Sequence, residues 1–219
     1  MAGEIQRMGS TNRPRVLYLS HAPEDIYDVV RRMAGDEVDL VLMDSNDDAA
    51  RCAAIADCDA VIVASYRLTG THLAAAKKLQ LVHHQGVGWH DTTDWQTIRD
   101  RDIKLAITLS GSTISVAEHT LMLMLAACRH LSHADAELRK GKWLVNALRT
   151  RSREVMGRTV GIIGMGRIGY QVAERLLPFG TTGLYCDPHV TLDAATEQRL
   201  NMRKTDFDTL ISTSDIVTL

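Results

Sequence analysis

TVGIIGMGRIG, Thr159 to Gly169, joins three signals in eleven residues. An apolar run of strand length ends in Gly164-x-Gly166-x-x-Gly169, and the amphipathic segment RIGYQVAERLLPF follows at once. A glycine triplet of this spacing is weak alone, because glycines gather in many turns. Its surroundings make it specific: a strand before it, a helix after it, and Asp187 eighteen residues past Gly169, closing the next strand-like run TTGLYCD. Gly164 permits the tight turn, Gly166 lets the backbone approach a pyrophosphate, and Gly169 allows helix and strand to pack closely. A helix starting near Arg167 and Ile168 aims its N–H groups at phosphates. Asp187 is placed to accept ribose hydroxyls and to repel a 2′-phosphate, which favours NAD over NADP. His189 is a poor substitute for the arginine that a 2′-phosphate needs.

Outward from this loop the chain alternates. RVLYLS, VDLVLMD, DAVIVAS, LVHHQ and IKLAIT read as five strands before residue 110, separated by the helical segments PEDIYDVVRRM, DDAARCAAIAD, THLAAAKKL and TTDWQTIRDRD. That order predicts a parallel sheet with helices on both faces, an α/β fold. From Ser115 to about Lys140 no proline or glycine interrupts the helical spacing of Val116, Leu121, Met124, Leu125 and Cys128, so one long helix is expected to connect two alternating regions. SVAE fits a capping box of Ser115 and Glu118. The alternation then restarts, with a short helix at FDTLI and a further strand in SDIVTL. His83 and His84, adjacent on a strand, face opposite sides and do not share a metal.

The bulk numbers narrow the function classes. A formal charge of −2 leaves no basic excess for binding nucleic acid, and 45% apolar with 24% charged residues is ordinary for a soluble globular chain. Cys52, Cys58, Cys128 and Cys186 form no CxxC pair, so reduced thiols in a cytoplasmic protein are expected rather than a disulfide frame or zinc site. Residues 1–14 carry no apolar signal segment and read as a disordered leader. TLMLMLAAC is too short to span a membrane.

SREVMGRTVGIIGMGRIG and YCDP together resemble the D-isomer-specific 2-hydroxyacid dehydrogenases. The resemblance runs upstream through RKGKW (Arg139 to Trp143), VAEHT (Val116 to Thr120) and QGVGW (Gln85 to Trp89), and so covers nearly the whole chain from Arg15 on. It implies a flavodoxin-like substrate domain over 15–110, an interdomain helix and connection over 111–150, and the first, incomplete part of a Rossmann NAD-binding domain over 151–219. It further implies a substrate carboxylate on the backbone amides of Val87 and Gly88, with Ser65 on a substrate-side loop and Thr113 near the nicotinamide end. An N–H pair on a glycine turn is a sound carboxylate receptor on physical grounds too.

The implied activity is hydride transfer between a D-2-hydroxy acid and NAD, in a homodimer when the protein is full length. Where many relatives have Asp-Asn-Ile/Val-Asp after the glycine turn, this chain has His90-Asp91-Thr92-Thr93-Asp94, which leaves the substrate open; Asp94 is placed to cap the next helix. The family's catalytic Arg, Glu and His match no position before Leu219. The expectation is therefore a fragment that is inactive alone and leans on partners for stability. An NAD-sensing, corepressor-like binding protein of the same fold is the alternative.

Overall fold

The computed structural model describes residues 13–109 and 111–219. Of the expected leader, residues 1–12 lie outside them. The chain divides after Leu109 into two compact units.

The first unit alternates nine elements: β1 (Arg15–Tyr18), α1 (Glu24–Ala34), β2 (Asp39–Leu42), α2 (Asp48–Ile55), β3 (Ala60–Val63), α3 (Gly70–Ala75), β4 (Leu81–His84), α4 (Trp95–Asp100) and β5 (Lys104–Ile107). The five strands form one parallel sheet in the order β2-β1-β3-β4-β5. Leu17, Val61, Val63 and Val82 are wholly buried in its core with Ile55, Leu73 and Ile98 from the helices. Each such side chain stabilises the unit by roughly 1.5–3 kcal/mol relative to exposure. Helix starts follow local chemistry. Asp47 caps α2 through the N–H of Ala50, and Asp94 caps α4 through that of Thr97, as its position in the sequence suggested. α1 carries Glu24 and Asp25 in its first turn, Arg31 and Arg32 in its last, and stops at Gly35, whose φ of 55° suits glycine.

The second unit opens with α5 (Thr113–Cys128), α6 (Leu131–Leu138) and α7 (Val145–Arg149). It continues through β6 (Thr159–Ile163), α8 (Arg167–Leu176), β7 (Thr182–Cys186), α9 (Ala194–Leu200), β8 (Met202–Lys204), α10 (Phe207–Thr213) and β9 (Ile216–Thr218). Its parallel sheet runs β8-β7-β6-β9, the strand order of the first half of a Rossmann domain. Among the described residues β9 pairs only with β6 and lies at the edge of the sheet. Ala117 and Met124 place α5 in the same core as Val160, Ile162, Val172 and Tyr185, with α5 packed on α8. Gly161 on the central strand lets α10 close in: a β-carbon there would lie 2.5 Å from both Leu210 Cδ2 and Ser214 Oγ.

Two expectations need correction, and three elements are new. The long helix breaks after Cys128, because the Cys128 carbonyl accepts the N–H of Arg153 at 2.8 Å from a returning segment and His130 takes a left-handed φ of 51°. The capping box at Ser115 does not form, since the helix already starts at Thr113; Ser115 lies within its first turn and its hydroxyl donates to the Ser112 carbonyl. Glu118 instead faces Arg175 on α8 at 3.9 Å. α7, α9 and β8 are additions that the sequence reading passed over; β8 has only three residues, and of these only Met202 is apolar.

Candidate functional site

In the second unit the loop between β6 and α8 carries the glycine triplet. Gly164 has φ 94°, which only glycine adopts without strain, and its N–H donates to the Cys186 carbonyl at 2.8 Å. A β-carbon on Gly169 would collide with the carbonyl oxygen of Gly164, a fixed backbone atom. At Gly166, the residue that caps α8, a β-carbon would meet nothing within 4 Å among the described residues. So Gly164 and Gly169 are required by the turn and by helix packing, while Gly166 keeps an open approach to the helix N-terminus. Arg167 and Ile168 form the first turn of α8, the end at which the helix dipole favours an anion.

Asp187 lies just past the end of β7, beside that loop. Its Oδ2 accepts the N–H of Met165 at 2.7 Å, and its Oδ1 accepts those of His189 at 2.7 Å and Val190 at 2.8 Å. Burial pushes this carboxyl up, but the N–H groups of His189, Val190 and Met165 outweigh it and hold it below the usual carboxylate range. A carboxylate offers about four acceptor positions, so about one on Oδ2 is left for a ligand hydroxyl. The role of Asp187 in tethering Met165 was not visible in the sequence. Thr113 is the first residue of α5 and half-buried.

In the first unit the carboxyl ends of β3 and β4 lie side by side, with Val63 paired to His84. Ser65 and the turn Gly86-Val87-Gly88 follow these ends directly, at the sheet edge where parallel α/β folds place ligands. The N–H groups of Val87 and Gly88 meet no protein acceptor among the described residues, and both residues are exposed. Ser65 is exposed as well, and its neighbour Tyr66 donates its N–H to Ser20 Oγ at 3.2 Å.

Two features here escaped the sequence reading. His84 is buried, and neither ring nitrogen has a partner among the described residues. Arg51 is wholly buried beneath Tyr66, its guanidinium carbon 3.4 Å from the ring centroid, and donates to the carbonyls of Leu19 and Asn46 and to the side chains of Asn46 and Asp48. Asp48 in turn accepts the Tyr66 hydroxyl at 2.8 Å and lies 3.3 Å from His72 Nε2. This network ties together the loops that follow β1, β2 and β3. His83 and His84 do face opposite ways: His84 points into the core and His83 pairs with Thr108 at 3.1 Å. No helix of the described residues is long and apolar enough to cross a membrane.

Residues 121–219 match the family profile described as D-isomer specific 2-hydroxyacid dehydrogenase, NAD binding domain. That stretch belongs to the D-isomer-specific 2-hydroxyacid dehydrogenase family. Among curated relatives, it is 37% identical over 166 residues to a hydroxypyruvate reductase of Thermotoga maritima, covering 75% of this chain and 52% of that protein. It is 35% identical over 162 residues to a D-3-phosphoglycerate dehydrogenase of Archaeoglobus fulgidus, covering 74% of this chain and 30% of that one. The chain thus spans about a third to a half of the length of these relatives. The crystal structure of NAD-dependent formate dehydrogenase from Staphylococcus aureus in complex with NAD superposes with a TM-score of 0.79 at 26% identity, over 93% of this chain and 63% of that one. NAD is the cofactor of the family's dinucleotide domain. The open face at Gly166 and the spare acceptor on Asp187 fit its pyrophosphate and adenosine ribose.

Proposed function

We propose that this chain forms part of an NAD-dependent oxidoreductase that interconverts a D-2-hydroxy acid and its 2-oxo acid. The observation that carries the reading is the contrast in one loop: Gly169 has no room for a side chain, whereas Gly166 opens onto free space at a helix N-terminus. When bound, NAD supplies the hydride acceptor for C2 of the hydroxy acid. The chain's own residues bind and orient. Gly164, Gly166, Arg167, Ile168 and Gly169 hold the pyrophosphate, Asp187 takes a ribose hydroxyl, and Thr113 flanks the nicotinamide end. Val87 and Gly88 donate their N–H groups to the substrate carboxylate, and Ser65 hydrogen-bonds the same acid. We assign the proton acceptor and the cation that orients the carbonyl to none of the 219 positions, so binding without turnover is expected of this chain alone.

We further propose that the second unit pairs with a second copy. Support comes from its apolar surface, where Met122, Leu123, Leu125, Leu131, Leu138 and Trp143 are all more than 40% exposed.

Calorimetric titration of the purified chain with NAD and with NADP tests the reading. NAD is expected to bind more tightly, because a 2′-phosphate meets the Asp187 carboxylate. Absence of NAD binding by a folded chain sinks the proposal.

A further inference from the structure

The turn assigned to the substrate carboxylate leads directly into an aromatic cluster. Trp89 follows Gly88, and its indole stacks on the His90 ring with centroids 3.7 Å apart and 22° between planes. Trp95, the first residue of α4, lies 4.9 Å from Trp89 at 57°. Two of the chain's three tryptophans are therefore gathered at one turn.

The backbone beneath them is fixed. The Trp89 carbonyl accepts the N–H groups of Thr92 at 3.2 Å and Thr93 at 3.0 Å, and the Thr93 hydroxyl at 2.6 Å. Thr93 is buried, and Leu68 brackets the segment by donating to the Thr92 carbonyl at 2.8 Å and accepting from Asp94 at 3.1 Å. The rings themselves are not core. His90 is exposed, Trp89 half-buried and Trp95 40% exposed. Aromatic surface held rigid yet left open to water gains by covering itself with another flat apolar group.

The chemistry of the segment narrows what that group is. Residues 85–94 contain no Lys or Arg but two acids, Asp91 and Asp94, so the segment offers no permanent cation to neutralise a phosphate or a second carboxylate. The substituent of a 2-oxo acid leaves within two bonds of its carboxylate. An acid held by the amides of Val87 and Gly88 therefore delivers its substituent to the side chains flanking that turn.

We propose that Trp89, His90 and Trp95 form a wall for the substrate's side chain, and that the acid belongs to the arylpyruvate class rather than to small or phosphorylated 2-oxo acids. This rests on the reading of Val87 and Gly88 as the carboxylate receptor.

The test titrates the 219-residue chain with pyruvate and with phenylpyruvate while following its three tryptophan indole N–H signals by NMR. The expected result is that phenylpyruvate binds about tenfold more tightly, from ring stacking plus buried apolar area. It should shift the signals of Trp89 and Trp95 and leave that of Trp143 unmoved. Trp95→Leu and Trp89→Leu should each bring phenylpyruvate down toward the affinity of pyruvate. If Trp89→Leu fails to fold, Trp95→Leu still decides. Equal affinity for the two acids, with unmoved indole signals, overturns the wall and leaves the carboxylate receptor standing. If neither acid binds, the carboxylate receptor itself is wrong and the wall falls with it.

Discussion

Oδ2 of Asp187 accepts the backbone N–H of Met165 at 2.7 Å, so a side chain at the end of one strand holds the glycine loop that follows its neighbour. The same carboxylate caps the N–H groups of His189 and Val190 through Oδ1. Asp187→Ala leaves three backbone donors without this acceptor and should lower stability by about 1–2 kcal/mol. It should also weaken NAD binding. Asp187→Asn keeps one carbonyl oxygen and should lie between the two in thermal melts; equal melting of all three proteins would refute the tether.

Gly166 and Gly169 make an opposed pair. Gly166→Val places its side chain in open space and should leave the melting temperature within a degree or two while NAD affinity drops more than about tenfold by obstruction of the pyrophosphate. Gly169→Ala drives a methyl into the Gly164 carbonyl and should cost about 1–3 kcal/mol of stability or prevent folding. Calorimetry and circular dichroism on the two variants separate binding from folding.

Gly161→Ala should destabilise the second unit by about 1–3 kcal/mol, because its methyl meets Leu210 and Ser214 at 2.5 Å on the far face of the sheet. Leu210→Ala, harmful alone, should recover part of that loss in the double variant. Strict additivity in chemical denaturation would argue against this contact.

Arg51→Met should cost about 2–4 kcal/mol. It leaves the Leu19 and Asn46 carbonyls unmet in a buried site and removes the cation under Tyr66. The damage should extend to the Ser65 loop, seen as faster amide exchange at Tyr66, whereas Tyr66→Phe, which keeps the stacked ring, should be milder.

Acid should loosen the second unit. Burial raises the Asp187 carboxyl, but its three N–H donors hold it low; the backbone N–H and then the hydroxyl of Thr196 lower Asp193, and those of Thr209 lower Asp206. All three native values lie below the unfolded one near 3.9. Their contribution is thus fully present above that pH and is lost as pH falls through the lowered native values. Melting temperature should fall from pH 5 to pH 2, and an Asp193→Ala, Asp206→Ala double variant should show a shallower fall.

The strands were legible where apolar runs such as AVIV and TVGII leave no residue exposed, and the glycine loop where three independent signals met. β8 was not, because its pairing with β7 needs only three residues and no apolar run. The break at His130 leaves no proline or glycine to mark it; a carbonyl taken by Arg153 ends the helix from twenty-five residues away. The position of Asp187 was readable, but its grip on Met165 depends on strand register, which spacing does not encode. Likewise the burial of Arg51 reverses the usual expectation for a charged residue, and only the loops around it explain why it is tolerated.

The unequal room around Gly166 and Gly169 also bears on how this loop would drift among descendants. A lineage released from the need to hold a dinucleotide could fill Gly166 freely, yet would still be compelled to keep Gly169 so that α8 could lie against its strand. The surviving glycine would then be a relic of architecture and the lost one a record of abandoned chemistry, so the order in which the two disappear would date the loss of the cofactor.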